Sequence, residues 1–143
     1  MQRIWLEESR VITYNNTMKV KIYYHQTDCG GVVYYANYLK FLEEARTEFF
    51  ESKGIFIKEL VKQGVQFVVA RQEIDYKAPA FYGDTLSIDT RLNEAGRVKL
   101  DFAYEIKNQE GQIVSTARTV MVCVNGNLRP QAIPEEISKK LEK

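Results

Sequence analysis

The chain alternates early: in MKVKIYY, residues 18–24, Met18, Val20, Ile22 and Tyr24 fall on one face with lysines between them, the two-residue period of a strand. After the loop HQTDCGG the period changes. Tyr38, Phe41, Leu42, Ala45 and Phe49 recur at i, i+3, i+4, i+7 and i+11, with Lys40, Glu43, Glu44, Arg46 and Glu48 mostly on the other side. That spacing predicts an amphipathic helix of about four turns. Ile57, Leu60 and Val61 predict a shorter helix, closed by Gly64 in the left-handed cap position.

From Val65 the pattern returns to strands. VQFVVARQEIDYKA runs to a break at Pro79 and Gly83-Asp84. Leu86, Ile88, Thr90 and Leu92 then alternate with polar residues, NEAG turns the chain, and Val98, Leu100, Phe102, Tyr104 and Ile106 alternate in the return strand of a hairpin. NQEG leads into a last strand over 112–124, ended by NGN, with a short charged helix over 134–143. One strand, a long helix and about four antiparallel strands predict an α+β fold with the helix on one face of the sheet. VMVCV at 120–124 and FVVA at 67–70 lose the alternation and read as strands buried on both sides. One helix cannot cover both faces, so a second copy of the chain is expected against the sheet, as a homo-oligomer.

Composition narrows the function classes. At 143 residues and 45% hydrophobic, the chain has the size of one domain, residues 1–143, with 1–16 as an N-terminal extension. Twenty Lys and Arg against nineteen Asp and Glu leave a net charge of +1, so no overall field favours nucleic acid. No apolar run approaches the ~20 residues of a membrane span, and MQRIWLEESRV carries acidic residues where a signal peptide has its apolar core. A cytoplasmic protein is expected, without membrane insertion. Cys29, Cys123 and the single histidine, His25, are too few for a structural zinc site or a disulfide scaffold, so no metal is expected.

A triad or Cys-His enzyme would have to use His25, with Cys29 four residues on, and no third orienting residue accompanies the pair. Gly30-Gly31 ahead of a helix could offer backbone donors to an anion, but no phosphate-loop or dinucleotide pattern surrounds them. Asn15-Asn16 and Asn125-Gly126 read as turns. Asp28 stands ahead of two glycines and the aromatic-rich segment that reads as the long helix. A carboxylate ionised at neutral pH needs no activating base, and the amides of a helix N-terminus can supply an oxyanion hole, a pairing suited to acyl transfer. An aspartate before two glycines is equally an ordinary turn or capping residue, and local chemistry leaves both readings open.

The segment TDCGGVVYYANYLKFLEEAR closely resembles the signature of the 4-hydroxybenzoyl-CoA thioesterase family of hotdog-fold proteins, and within it the YbgC-like, Tol-Pal-associated acyl-CoA thioesterase branch. Weaker agreement continues through FVVARQEIDYKAPAFYGDTL to VMVCVN and RPQAIP. The resemblance implies a hotdog fold, a long central helix wrapped by a curved antiparallel sheet, assembled as dimers or a homotetramer. It implies hydrolysis of acyl-CoA thioesters, with CoA entering as part of the substrate and no further cofactor. The family's catalytic aspartate falls on Asp28, and its carbonyl-polarising backbone N–H falls on Tyr35. Gly31, Val32, Tyr34, Tyr38 and Arg71 are the expected substrate contacts, with Phe41 also able to line an acyl pocket.

The chain departs from the pattern in three places. Tyr35 stands where many members of the branch carry a histidine, HQTD replaces the more acidic EDTD so that Gln26 removes a neighbouring negative charge, and Phe81 replaces a common basic residue. Arg71, Lys77 and Arg97 remain as candidate phosphate contacts. Glu43 has the spacing of a surface pair with Arg46, although other hotdog thioesterases place a carboxylate on this helix. The alternatives are an acyl-carrier-protein thioesterase, a hotdog dehydratase, which usually needs an active-site histidine, and a non-catalytic acyl-binding scaffold.

Overall fold

A computed structural model describes residues 16–142. Residues 1–15 of the expected N-terminal extension, Asn15 among them, lie outside these, while Asn16 is a strand residue rather than part of the extension or of a turn. The elements in chain order are β1 (Asn16–Lys21), a 3₁₀ turn (Tyr24–Gln26), α1 (Asn37–Ser52), α2 (Ile57–Lys62), β2 (Gln66–Tyr76), β3 (Thr85–Ala95), β4 (Lys99–Lys107), β5 (Ile113–Val124) and α3 (Glu135–Leu141). The five strands form one sheet in the order β1-β3-β4-β5-β2, every pair antiparallel. This is the α+β arrangement that the periodicity predicts.

α1 lies against the sheet on the predicted stripe: Tyr38, Phe41, Leu42, Ala45 and Phe49 are all buried. They meet Leu86 and Ile88 of β3 and Leu100, Phe102 and Ile106 of β4 in one core, where each large side chain taken from water contributes about 1.5–3 kcal/mol. Phe49, Phe50 and Phe102 make edge-to-face contacts at 5.3–5.9 Å between centroids. α2 ends as expected at Gly64, whose φ of +75° lets the N–H of Val65 reach back to the Leu60 carbonyl at 3.0 Å.

Three expectations change. Tyr24 does not continue the β1 face: the Gln26 side chain accepts the Tyr23 N–H at 2.8 Å, the chain turns, and Tyr24 is exposed. Arg46 is not on the polar side of α1 but buried, and it makes no ion pair with Glu43; its Nη1 donates to the hydroxyls of Tyr104 and Thr119. Val68, Val69 and Ala70 are exposed rather than buried on both sides, because β2 is an outer strand with β5 as its neighbour. In β5, by contrast, Met121, Cys123 and Val124 are buried, while Val120 and Val122 are half-buried, so the expected two-sided burial is met only in part.

Candidate active site

The loop between β1 and α1 is held by its own backbone. The Asp28 N–H donates to the Val32 carbonyl at 2.9 Å, the Gly31 N–H returns to the Asp28 carbonyl at 3.0 Å, and Val33 N–H reaches Ala80 at 2.8 Å. Gly31 has φ +81°, a region open to glycine at little cost. One Asp28 carboxylate oxygen, Oδ1, accepts the Gly30 N–H at 2.8 Å, an Asx turn that fixes the side chain while leaving Asp28 exposed.

The start of α1 is anchored on one carbonyl. The Gln26 main-chain oxygen accepts both the Tyr34 N–H, at 2.9 Å, and the Asn37 side-chain amide, at 2.8 Å. The next two backbone donors, the N–H groups of Tyr35 and Ala36, have no hydrogen-bond partner among the described residues. Unpaired amides at a helix N-terminus carry partial positive charge, so they are ready to meet an oxyanion.

Asp28 and Tyr35 line the same cavity, of about 330 Å³, together with Val32, Tyr38, Tyr76 and Lys77. The Tyr76 hydroxyl donates to the Tyr35 carbonyl at 3.0 Å, and the Tyr76 ring packs edge-on against Tyr38 at 5.4 Å and Tyr35 at 6.3 Å. Burial, reinforced by Tyr76 and Asp84, pushes the Tyr38 phenol up to about 12. Burial and then Tyr35 raise Tyr76. A hydrogen bond to Tyr35 and the charge of that ring raise Tyr34, with burial and the Asp28 carboxylate adding in the same direction. These phenols therefore stay protonated at neutral pH, donors rather than bases.

Of the sequence candidates, Asp28, Tyr35, Val32 and Tyr38 come together around this cavity. Gly31 shapes its loop, and Tyr34 packs at a tilt against Tyr35, 4.9 Å between ring centroids, without lining the cavity. Arg71 is elsewhere, exposed on β2 and ion-paired with Glu73. Lys77 is the cation at the cavity wall. His25 is exposed and stacked on Tyr23, and no hydrogen bond joins it to Cys29 among the described residues. Sequence reasoning did not single out Tyr76 or the Ala78–Ala80 wall; proximity to the KAP break was their one signal, and it names no partner.

The model of the thioesterase-like superfamily matches residues 23–141. The acyl-CoA thioester hydrolase YbgC of Escherichia coli O157:H7 is 37% identical over 119 residues, covering 82% of this chain and 89% of that protein. The 1,4-dihydroxy-2-naphthoyl-CoA hydrolase of Nostoc punctiforme is 34% identical over 132 residues, covering 91% of this chain and 86% of that one. Among solved structures, the 1,4-dihydroxy-2-naphthoyl-CoA thioesterase of Synechocystis superposes with a TM-score of 0.82 at 25% identity, over 89% of this chain and 95% of that chain.

Proposed function

The chain belongs to the thioesterase-like superfamily of hotdog-fold proteins, and from that premise we propose that it hydrolyses an acyl-CoA thioester to the free acid and CoA. The observation that carries the mechanism is the Asp28 carboxylate in one cavity with the Tyr35 peptide, whose N–H is unengaged. Asp28 takes a proton from water as its oxygen attacks the thioester carbonyl, or attacks the carbonyl itself and is later released by water. In either route the carbonyl electron pair moves onto oxygen, and the Tyr35 N–H donates a hydrogen bond to the oxyanion so formed. Collapse expels CoA as thiolate. An oxyanion donor of this kind is worth about 3–4 kcal/mol in other enzymes. The backbone of Tyr35, not its ring, does this work, which is how the site dispenses with the histidine common at that position. The chemistry draws on these groups and water, with CoA arriving as part of the substrate.

Lys77 at the cavity wall is the better-placed partner for a CoA phosphate than Arg71, which Glu73 already engages. The active form is a homo-oligomer. β1 and β2 are the outer strands of the sheet; β1 carries exposed Lys19 and Lys21, which discourage further pairing, whereas β2 exposes Val68 and Val69. Unpaired Cys29 and Cys123 suit a reducing cytoplasm, and no helix among the described residues is long and apolar enough to cross a membrane.

The test is thiol release from a panel of aliphatic and aromatic acyl-CoAs by the wild type, Asp28→Ala and Asp28→Asn. Hydrolysis that disappears with the carboxylate supports the reading. No turnover of any thioester overturns it, and tight acyl-CoA binding without turnover points instead to an acyl-binding scaffold.

A further inference from the structure

The described part of the β1–β3 ladder stops before β3 does. Its last rung is Asn16 opposite Thr90, whereas β3 runs on to Ala95. Over Leu92–Ala95 the one strand beside β3, among the described residues, is β4. Leu92 lies across from Phe102 and Ala95 across from Leu100, both fully buried, so Leu92 and Ala95 face the core side of the sheet. Leu92 is only half-buried there.

The last rung is itself incomplete. Thr90 is fully buried and its hydroxyl has no hydrogen-bond partner among the described residues. The side-chain nitrogen of Asn16, directly across the ladder, is also sealed from water without a partner there. Buried polar groups are nearly always paired, because an unpaired one keeps the cost of leaving water.

The residues that precede Asn16 in the sequence carry a complementary pattern. Val11, Ile12, Thr13 and Tyr14 are all residue types that favour strands, and in strand phase Tyr14 and Ile12 share the face of Asn16 and Met18. Carried two residues further, the β1–β3 register sets Tyr14 across from Leu92. Thr90 is then the diagonal neighbour of Tyr14, about 7–8 Å away, which an aromatic side chain spans. A phenol so placed can accept the Asn16 amide N–H and donate to the Thr90 oxygen while its ring covers Leu92.

We propose that residues 11–15 continue β1 along β3 past Thr90, with the Tyr14 ring over Leu92 and its hydroxyl bridging Asn16 and Thr90. This segment is favoured over a strand of a second copy because it is tethered at the rung where the described ladder stops. Exposed Lys19 and Lys21 on the adjoining β1 also oppose the approach of another strand.

Backbone amide exchange of the full chain, followed by NMR, tests the inference. The amides within 92–95 that point away from β4 are expected to exchange at least about tenfold more slowly in the wild type than in Thr13→Pro, which takes a ladder donor from the added strand. Amides within 85–88 should exchange alike in both. Urea unfolding gives an independent measure. Tyr14→Phe should lower the folded-to-unfolded ratio about fivefold, the worth of one ordinary hydrogen bond, and about twofold or less once Thr90→Val has removed the hydroxyl. Should Thr90→Val fail to fold, the exchange comparison still decides. Unprotected amides at 92–95 in the wild type overturn the proposal, as does protection that Thr13→Pro leaves unchanged or a Tyr14→Phe effect of equal size in both backgrounds. Protection that vanishes on dilution also overturns it and assigns this edge to a second copy.

Discussion

The Tyr76 hydroxyl donates a 3.0 Å hydrogen bond to the Tyr35 carbonyl, tying the end of β2 to the turn that opens α1. The same carbonyl accepts the Tyr38 N–H at 3.4 Å, a long contact that holds the turn weakly by itself. Tyr76 is therefore a positioning residue for the backbone that carries the proposed oxyanion donor. Tyr76→Phe keeps the ring contacts and loses only the hydrogen bond, worth about 1 kcal/mol. Steady-state kinetics should show kcat lowered about fivefold with KM little changed. A matching rise in KM at constant kcat would mean that the hydroxyl serves ground-state binding instead.

Asp28→Asn preserves the size of the side chain and its acceptor for the Gly30 N–H, so thermal stability should hardly move. A carboxylate acting on water or on the carbonyl typically supplies about 10²- to 10⁴-fold in rate, and kcat should fall by that much. One turnover in ¹⁸O-labelled water separates the two routes. Label appearing in the Asp28 carboxylate identifies the nucleophile, whereas label confined to the released acid fits the general base or an anhydride opened at its acyl carbon, which trapping of the acyl-enzyme with hydroxylamine separates.

Gly30 sets the position of that carboxylate. A Cβ added at Gly30 would come within 3.2 Å of Asp28 Oδ1, tight enough to push it aside. Gly30→Ala should lower activity severalfold, because the carboxylate oxygen has to give way by a few tenths of an ångström, short of the ~1 Å misplacement that costs about 10²-fold. Melting temperature measured alongside should change far less than activity; a comparable loss of both would make Gly30 a folding residue only.

How far the sequence carries depends on range. The stripe Tyr38, Phe41, Leu42, Ala45, Phe49 is a local property of one helix, and every member is buried as the period requires. Arg46 breaks the rule because its partners, Tyr104 and Thr119, lie 58 and 73 residues away on neighbouring strands. A charged residue read from α1 alone belongs on the surface; only the sheet provides hydroxyls to receive it. The site divides in the same way. Asp28 and Tyr35 are close in sequence and were legible together, whereas Tyr76 arrives from the end of β2, 41 residues from the carbonyl it holds. Tyr24 fails for the opposite reason, since one side chain three residues away, that of Gln26, replaces the strand with a turn.

Alkaline stability reports on the aromatic wall. The Tyr38 phenol has an ordinary value of 10.0 and is pushed up to about 12, chiefly by burial. Its contribution is intact below the unfolded value and is lost as pH rises through the folded one, because the unfolded chain ionises first. Urea unfolding between pH 10 and pH 12 should therefore show stability falling as pH rises. Tyr38→Phe should flatten that slope without abolishing it, since Tyr34, Tyr76 and Tyr104 are raised as well.

The two outer strands predict opposite responses to charge. Val69 of β2 is 49% exposed, and Val68 beside it 36%, a run of apolar side chains on a strand whose outer edge lacks a partner among the described residues. Lysine at such an edge opposes pairing with another copy. Light scattering coupled to size exclusion should find the wild type at a multiple of the chain mass and Val69→Lys shifted toward the monomer. The reverse change on β1, Lys19→Val, should leave the mass unaltered if β2 is the interface. A wild-type monomer at all concentrations would remove the oligomer from the functional reading, while a Val69→Lys protein that stays assembled would move the interface away from β2.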